Sequence, residues 1–430
     1  MLRRLGIFRF KSIRDENLEF GKVNLFIGGN GAGKSNLLEA IGLVSACLDR
    51  GLNDSDIGRK GMRISPPELM KSSFKNDDLP KTLELDADFD HQITYKCRLQ
   101  SSEKDPFLRI FSESAEFGDE KVFGRSHRGA SASGVSHADR LDVYRGIYDQ
   151  IKATYNIPEL VSAAFAEFSR YVIYSPQTDF LRGRQAGKVD VPPIGLHGEG
   201  LAEAASSILD LWRSLKVEKG TDHSFAYEIV STCLDLIWLP GWASTFGVTI
   251  GTDLLTSRDL AERSSESAYF LDKYMHAKRN RLSVYDSSEG TLFLLFASII
   301  LSHPKAPKIF ALDNVDNALN PRLTRRLVEQ IINVCQSEKE SGESEFSNVG
   351  AKQVFLTSHN PTALDAFDIF DEEQRVFVVS RNEKGHTIVK RMVPPKNTSK
   401  DEWDILKGGR NLSQVWLDGD IPGALGAQGL

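Results

Sequence analysis

The sequence predicts an α/β fold with a mostly parallel core sheet, antiparallel side strands and a helical insertion, and three stretches carry that expectation. Gly28-Gly29-Asn30-Gly31-Ala32-Gly33-Lys34-Ser35 fills every fixed position of G-x-x-x-x-G-K-S. It lies between the apolar run Val23-Asn24-Leu25-Phe26-Ile27 and a helical pattern opening at Asn36. Lys308-Ile309-Phe310-Ala311-Leu312-Asp313 reads as an apolar strand ending in a carboxylate. Gln353-Val354-Phe355-Leu356-Thr357-Ser358-His359 reads as a second strand, ending in polar groups ahead of a helix after Pro361. Apolar strands that deliver polar side chains at their C-terminal ends, alternating with helices, describe a parallel sheet with its site along that edge.

The chain enters this sheet at once. Residues 5–13 alternate apolar with polar side chains and predict a strand that turns at Arg14-Asp15-Glu16-Asn17. Leu18-Glu19-Phe20 then leads through Gly21-Lys22 into the strand before the glycine-rich loop. The glycines let successive backbone N–H groups converge on phosphate oxygens with no Cβ in the way, and the following helix aims its N-terminus at the same anion. Asn30, Gly31 and Gly33 form that cradle, Lys34 reaches the β- and γ-phosphates, and the Ser35 hydroxyl is offered to Mg²⁺. ATP and Mg²⁺ are therefore the expected ligands. Asp313, at the end of its strand, orders the Mg²⁺ shell, so Ser35 and Asp313 are the candidate metal residues.

Between the two ends of the chain the reading is coarser. Thr82-Leu83-Glu84-Leu85-Asp86-Ala87-Asp88-Phe89 and Ile93-Thr94-Tyr95-Lys96-Cys97-Arg98-Leu99 alternate and predict antiparallel side strands. Glu84, Asp86 and Asp88 read as a solvated strand face. Residues 124–140 are small, polar and basic, which predicts a loop, and His127 and His137 have no third metal ligand nearby. Leu141, Tyr144, Ile147, Tyr148 and Ile151 have helical spacing, Tyr171-Val172-Ile173-Tyr174 reads as a buried strand, and helices are expected over 201–215 and 225–238. No heptad is sustained, so a long coiled-coil arm is not expected. The expected domains are a core from 1–50 and 282–393, an insertion of side strands and helices over 51–281, and a linker and tail over 394–430.

At 430 residues the chain exceeds the size of one hydrophobic core, and 40% apolar with 26% charged residues is ordinary for a globular protein. A net charge of −6 argues against a surface that coats nucleic acid throughout. Four cysteines without a C-x-x-C pair point to reduced thiols and a cytoplasmic location rather than zinc or disulfides. No apolar run is long enough for a signal peptide or a membrane span.

Upstream of Asp313, Asp286-Ser287-Ser288-Glu289-Gly290-Thr291 precedes the apolar helix that begins at Leu292. A hydroxyl and a glycine there cap the helix or meet an anion. Taken together, these motifs resemble the ATP-binding-cassette (ABC) ATPases of the SMC and RecF-like branch. These are P-loop NTPases whose compact members are grouped with the AAA family ATPases of bacterial anti-phage defence systems. The resemblance rests on Phe10-Lys11-Ser12, the loop at 28–35, the signature-like segment at Ser288 and Gly290, and a Walker B strand ending at Asp313. It also rests on a D-loop-like Ala318-Leu319-Asn320-Pro321 and a switch histidine at His359, so it covers both ends of the chain and leaves the middle unassigned. It implies an ABC-type nucleotide-binding domain and a homodimer or larger even assembly in which ATP is sandwiched. Gln177 is either the family's Q-loop glutamine or a surface polar residue.

One position departs from the family. Asn314 stands where the family has a glutamate that polarises the attacking water, and an amide cannot accept that proton. Asp313, Asn314 and His359 are thus the candidate catalytic residues of an ATPase expected to turn over slowly, and Asp316 or His359 is the alternative for positioning the water. Three roles follow. The first is an ATP-gated sensor or regulatory subunit of a bacterial defence system that controls a separate effector, such as a nuclease or toxin. It is consistent with the lack of a nuclease motif in this chain. The second is a DNA-repair ATPase that clamps DNA ends, for which Lys273, His276, Lys278, Arg279 and Arg281 form either a phosphate-contacting cluster or a solvated hairpin turn. The third is an assembly platform that binds ATP without turnover. Trp416, near the C-terminus, either anchors a partner or packs back on its own sheet.

Overall fold

The computed structural model describes residues 1–75, 77–101, 107–126, 129–132, 135–137, 141–185, 187–217, 221–250, 266–337 and 349–419. The chain divides into two compact units, one of Met1–Ile173, Ile309–Asn314 and Gln353–Leu430, the other of Tyr174–Lys308 and Val315–Lys352.

The first unit contains a six-stranded sheet in the order β10-β14-β15-β3-β16-β17. Its strands are β3 (Val23–Ile27), β10 (Ile173–Tyr174), β14 (Ile309–Leu312), β15 (Gln353–Ser358), β16 (Gln374–Arg381) and β17 (Thr387–Arg391). β14, β15, β3 and β16 run parallel, as the uninterrupted apolar strands require, and β17 is antiparallel to β16. Every residue of β3 and β15 is buried. Phe20 packs edge-on against Phe355 at 5.1 Å between centroids, while Phe26 stacks on Phe377 at 5.2 Å.

A second sheet in this unit is antiparallel throughout, in the order β2-β1-β4-β5-β6-β7-β8-β9. It comprises β1 (Leu2–Phe10), β2 (Ile13–Glu19), β4 (Thr82–Phe89), β5 (Ile93–Gln100), β6 (Arg109–Phe117), β7 (Glu120–Ser126), β8 (Gly129–Ala132) and β9 (Val135–His137). Helix α1 (Lys34–Leu48) touches strands of both sheets and is buried at every position from Leu37 onward, as expected of a helix apolar on all sides. The expected side strands are present at β4 and β5. Glu84, Asp86 and Asp88 are not merely solvated: Glu84 pairs with Arg9 and Arg98, and Asp88 with Arg4, across neighbouring strands.

Four local expectations are corrected. The turn after β1 falls at Lys11-Ser12, not at residues 14–17, because Arg9 and Lys11 take left-handed backbone conformations with φ of 61° and 46°. Residues 124–140 are not simply a loop, since β8 and β9 extend the antiparallel sheet through Phe123↔Ala132 and Ala132↔Val135. His127 and the His137 side chain lie outside the described residues. Of the helical spacing from Leu141, only Ile147–Ile151 is helical, with a second helix at Glu159–Phe168. After Pro361 the helix is a short 3₁₀ segment, Pro361–Ala366.

The second unit holds the expected helices at Leu201–Val217 and Thr221–Leu234, and a three-stranded antiparallel sheet of β11 (Ala243–Ile250), β12 (Glu266–Asp272) and β13 (Arg281–Ser283). Its helix α2 (Glu289–Ser302) is buried at every residue from Gly290 to Ser302. Near the C-terminus, in the first unit, helix Leu412–Leu417 packs back: Trp416 is 2% exposed, and Asp365 accepts hydrogen bonds from Ser413 N–H and Oγ–H. Trp416 is therefore not an exposed anchor. Among the described residues no helix is long and apolar enough to cross a membrane.

Candidate nucleotide site

The loop between β3 and α1 has the backbone its sequence requires. Gly31 and Gly33 adopt φ of 76° and 111°, which side-chain-bearing residues rarely take. A Cβ on Gly33 would lie 2.2 Å from Thr387 Oγ1, so this glycine is also fixed by crowding. Gly29, Asn30 and Gly31 are exposed at the mouth of the loop. Lys34 is buried, and its ammonium donates to the Gly28 and Gly29 carbonyls at 2.8 and 3.0 Å. The loop therefore wraps a positive charge with its own carbonyls.

Parallel pairing brings the other candidates to the same edge. Register couples Ser358 with Ile27 and Leu312 with Leu356, so the segments that follow β3, β14 and β15 emerge together. Ser35 Oγ donates to Asp313 Oδ2 at 3.1 Å. Thr357 Oγ donates to Asp313 Oδ1 and accepts the Asn314 N–H at 2.8 Å. Thr357 is buried, so the carboxylate is held from two sides. Asn314 is exposed with φ of 56°, and His359 is exposed at the end of β15. Asn30, Gly31, Gly33, Lys34, Ser35, Asp313, Asn314 and His359 thus all belong to the first unit and to one sheet edge.

The second unit carries the remaining candidates. Ser288 is exposed and is the N-cap of α2, with no side-chain capping bond, while Gly290 is buried with room for no more than hydrogen, a Cβ there falling 2.9 Å from the Ala318 carbonyl. Gln177 is exposed and has His197 Nδ1 3.5 Å from its Nε2. Its neighbours are tied to the signature-like segment. Arg182 donates to the Tyr285 and Ser287 carbonyls at 3.0 and 3.2 Å, and Thr178 Oγ donates to Glu289. Asp316 is buried in this unit.

Sequence reasoning overlooked a brace under the loop. Thr387 Oγ1 lies 2.7 Å from Ser12 Oγ and donates to the Ala32 carbonyl at 2.9 Å, and Asn36 donates to Ser12 at 2.6 Å. Beside it, buried Glu39 accepts from Arg63 at 2.8 Å and from Lys11 at 2.5 Å. Burial works to raise the Glu39 pKa, but these two cations hold it below the ordinary glutamate value, keeping it ionised. Phe10-Lys11-Ser12 was the available signal for this brace; Arg63 and Thr387 had none.

The oxygen pair of Ser35 and Asp313, beside a glycine-rich helix N-terminus and a lysine, fits a nucleotide with a hard divalent cation. A family model described as "AAA domain" matches residues 4–185, and one described as "AAA domain, putative AbiEii toxin, Type IV TA system" matches residues 244–365. Two AAA-domain models thus match the two halves of the chain, which is similar to the SMC/RecF-like, ABC-type ATPases. A 48-residue stretch of this chain is 46% identical to the DNA replication and repair protein RecF of Phocaeicola vulgatus, covering 11% of this chain and 13% of that protein. Among solved structures, the SMC head domain from Thermotoga maritima aligns at 12% identity over 90% of this chain and 98% of that one, with a TM-score of 0.41. A structure titled as the recombination mediator protein RecF with ATP aligns at 15% identity over 91% and 97%, with a TM-score of 0.35. At those scores neither structure adds to the assignment.

Proposed function

We propose that this ATPase is a slowly hydrolysing, ATP-gated sensor or regulatory subunit, or a scaffold, of a bacterial defence system, acting in the cytoplasm on a separate effector such as a nuclease or toxin. The observation that carries the reading is at Asp313-Asn314. The aspartate is held by Ser35 and Thr357, while the next side chain, where a general base would stand, is an exposed amide. Such a site suits prolonged occupancy better than rapid turnover. Lys34 would neutralise phosphate charge, Gly31 and Gly33 would supply backbone amides, and Ser35 with Asp313 would hold Mg²⁺, which when bound would neutralise charge developing on the phosphates. Asp313 would act on the metal, with Asn314 and His359 beside it. Ser288 and Gly290 have no phosphate-binding part to play within the first unit's loop, which supports an ATP-sandwiched homodimer or larger even assembly. Gln177 would be the Q-loop glutamine of such an ATPase. The description of the second matching family, with its reference to a toxin and a type IV TA system, is compatible with a defence role.

The test is the native mass of the protein with and without ATP, combined with phosphate release and co-purification with the neighbouring gene product. Expected are ATP-dependent assembly, slow release and a bound effector. Rapid release by the isolated protein with no partner overturns the reading. The second reading, an ATPase that clamps DNA ends, is favoured by the short match to the RecF-named protein. It would be carried by DNA-stimulated turnover without an effector.

A further inference from the structure

The second unit carries an exposed basic turn that the nucleotide site does not use. β12 and β13 pair antiparallel through Phe270↔Leu282, and the intervening Lys273-Tyr274-Met275-His276-Ala277-Lys278-Arg279-Asn280 is followed by Arg281. This stretch has four Lys or Arg residues and no Asp or Glu, in a chain of net charge −6. Lys273, Lys278, Arg279 and Arg281 are all exposed, and none has a carboxylate partner among the described residues. The turn is built by its own hydrogen bonds. Asp272 N–H donates to Asn280 O at 2.8 Å, Arg279 N–H to His276 O at 2.8 Å, and the Asp272 carboxylate accepts the N–H of Tyr274 at 2.7 Å. The acid at the base of the turn is therefore occupied with backbone.

On its first arm, Tyr274 is 78% exposed, with Lys273 Nζ 5.0 Å from its ring centroid. An aromatic ring left in water beside unpaired cations has the two elements of a single-strand site: charges that follow a phosphate backbone and a face on which an unpaired base stacks. A duplex would satisfy the charges but offers no free base face to the ring. An acidic protein segment would answer the charges but brings no flat base face to the exposed ring.

We infer that this turn binds single-stranded nucleic acid, with the backbone on Lys273, Lys278 and Arg279 and a base on Tyr274. It connects to the signature-like segment by two hydrogen bonds. Lys273 N–H donates to the Trp242 carbonyl at 3.1 Å, and Trp242 Nε1 donates at 2.9 Å to Thr291 Oγ1, buried in the first turn of α2 beside Gly290. Occupancy of the turn is thus placed to bias nucleotide-dependent pairing, a step that rests on the sensor reading, whereas the binding surface does not.

The experiment is fluorescence anisotropy of the full chain with a labelled oligothymidylate and with a duplex of the same length, first without nucleotide. The single strand should bind more tightly, with log affinity falling against log salt at a slope of roughly −2, from about three phosphate contacts. Tyr274→Ala should weaken it about ten-fold or more and Tyr274→Phe should restore it, while joint Lys278→Glu and Arg279→Glu should abolish it. Thermal melting verifies that each variant is folded. Absence of binding, equal affinity for the duplex with no effect of Tyr274→Ala, or preference for a polyglutamate competitor would each overturn the assignment. Single-strand binding that leaves ATP-dependent assembly and phosphate release unchanged would overturn the coupling and leave the surface standing.

Discussion

Ser35 and Asp313 stand 278 residues apart in the chain, yet Ser35 Oγ lies 3.1 Å from Asp313 Oδ2. The contact arises because β3 and β14 flank β15 in parallel, so the start of α1 and the end of β14 leave the sheet at the same edge. A hydroxyl and a carboxylate at this spacing are the pair that would hold the proposed Mg²⁺.

The first prediction concerns Lys34. Its ammonium holds the loop through the Gly28 and Gly29 carbonyls, and it is the buried charge expected to face phosphate. Lys34→Ala should remove most ATP affinity, on the order of ten-fold or more, since one charge-assisted contact is worth about 1.5–3 kcal/mol. Isothermal titration checks this, and unchanged ATP binding would end the nucleotide assignment.

The second concerns Ser288, exposed at the N-terminus of α2. Ser288→Arg should leave ATP binding to an isolated subunit nearly intact while blocking ATP-dependent pairing. Sedimentation velocity with and without ATP reads the difference. Pairing that survives the substitution removes Ser288 from the interface.

The third is a pH dependence at Glu16, in β2. Burial raises the Glu16 carboxyl to about 7, against the lowering effect of the Val389 N–H bonded to it at 3.2 Å. A raised folded-state pKa means that the folded protein retains a proton that the unfolded chain has released. The associated stability is complete below the ordinary glutamate value near 4.5 and is lost as pH rises through about 7. Glu16→Gln should therefore melt increasingly above wild type between about pH 5 and pH 8. Parallel melting curves for the two proteins across that window would contradict it.

What was legible in the sequence was what is local. The loop at 28–35, the apolar strands and the polar groups at their ends are each contiguous, because a phosphate cradle and a buried parallel strand are written in consecutive residues. What was not legible depends on distant partners. Thr387 braces Gly33 from a strand some 350 residues away, and nothing in Gly385-His386-Thr387 announces it. The strands at 129–132 and 135–137 are built of Gly, Ala, Ser, Val and His, so no apolar alternation marks them, and the pairing of β8 on β7 and of β9 on β8 defines them instead. The turn at Lys11-Ser12 lacks the usual Gly or Asn, and its left-handed residues at Arg9 and Lys11 were invisible for that reason.

The last prediction returns to Asn314, where structure alters the design of the test. Replacing a general base by an amide typically lowers the rate by about 10² to 10⁴, roughly 3–5 kcal/mol of barrier, while binding contacts remain. ATP should therefore stay bound for long periods, and the loaded assembly would be the resting form. Restoring a carboxylate should raise phosphate release. Yet Asn314 has φ of 56°, a left-handed conformation that Asn and Asp tolerate and Glu does not, at a cost of about 1–2 kcal/mol. Asn314→Glu should speed release while lowering the melting temperature. Asn314→Asp keeps the backbone fit but carries a shorter side chain, so it should be stable with a smaller gain in rate. A carboxylate also adds negative charge beside the nucleotide phosphates, which should shorten the life of the ATP-loaded assembly in both variants. Phosphate release and assembly lifetime are measured together on the same preparations. Wild-type turnover on the order of 1 s⁻¹ without any partner, at the low end of common enzyme rates, would show that Asn314 is no handicap and would sink the slow-switch model.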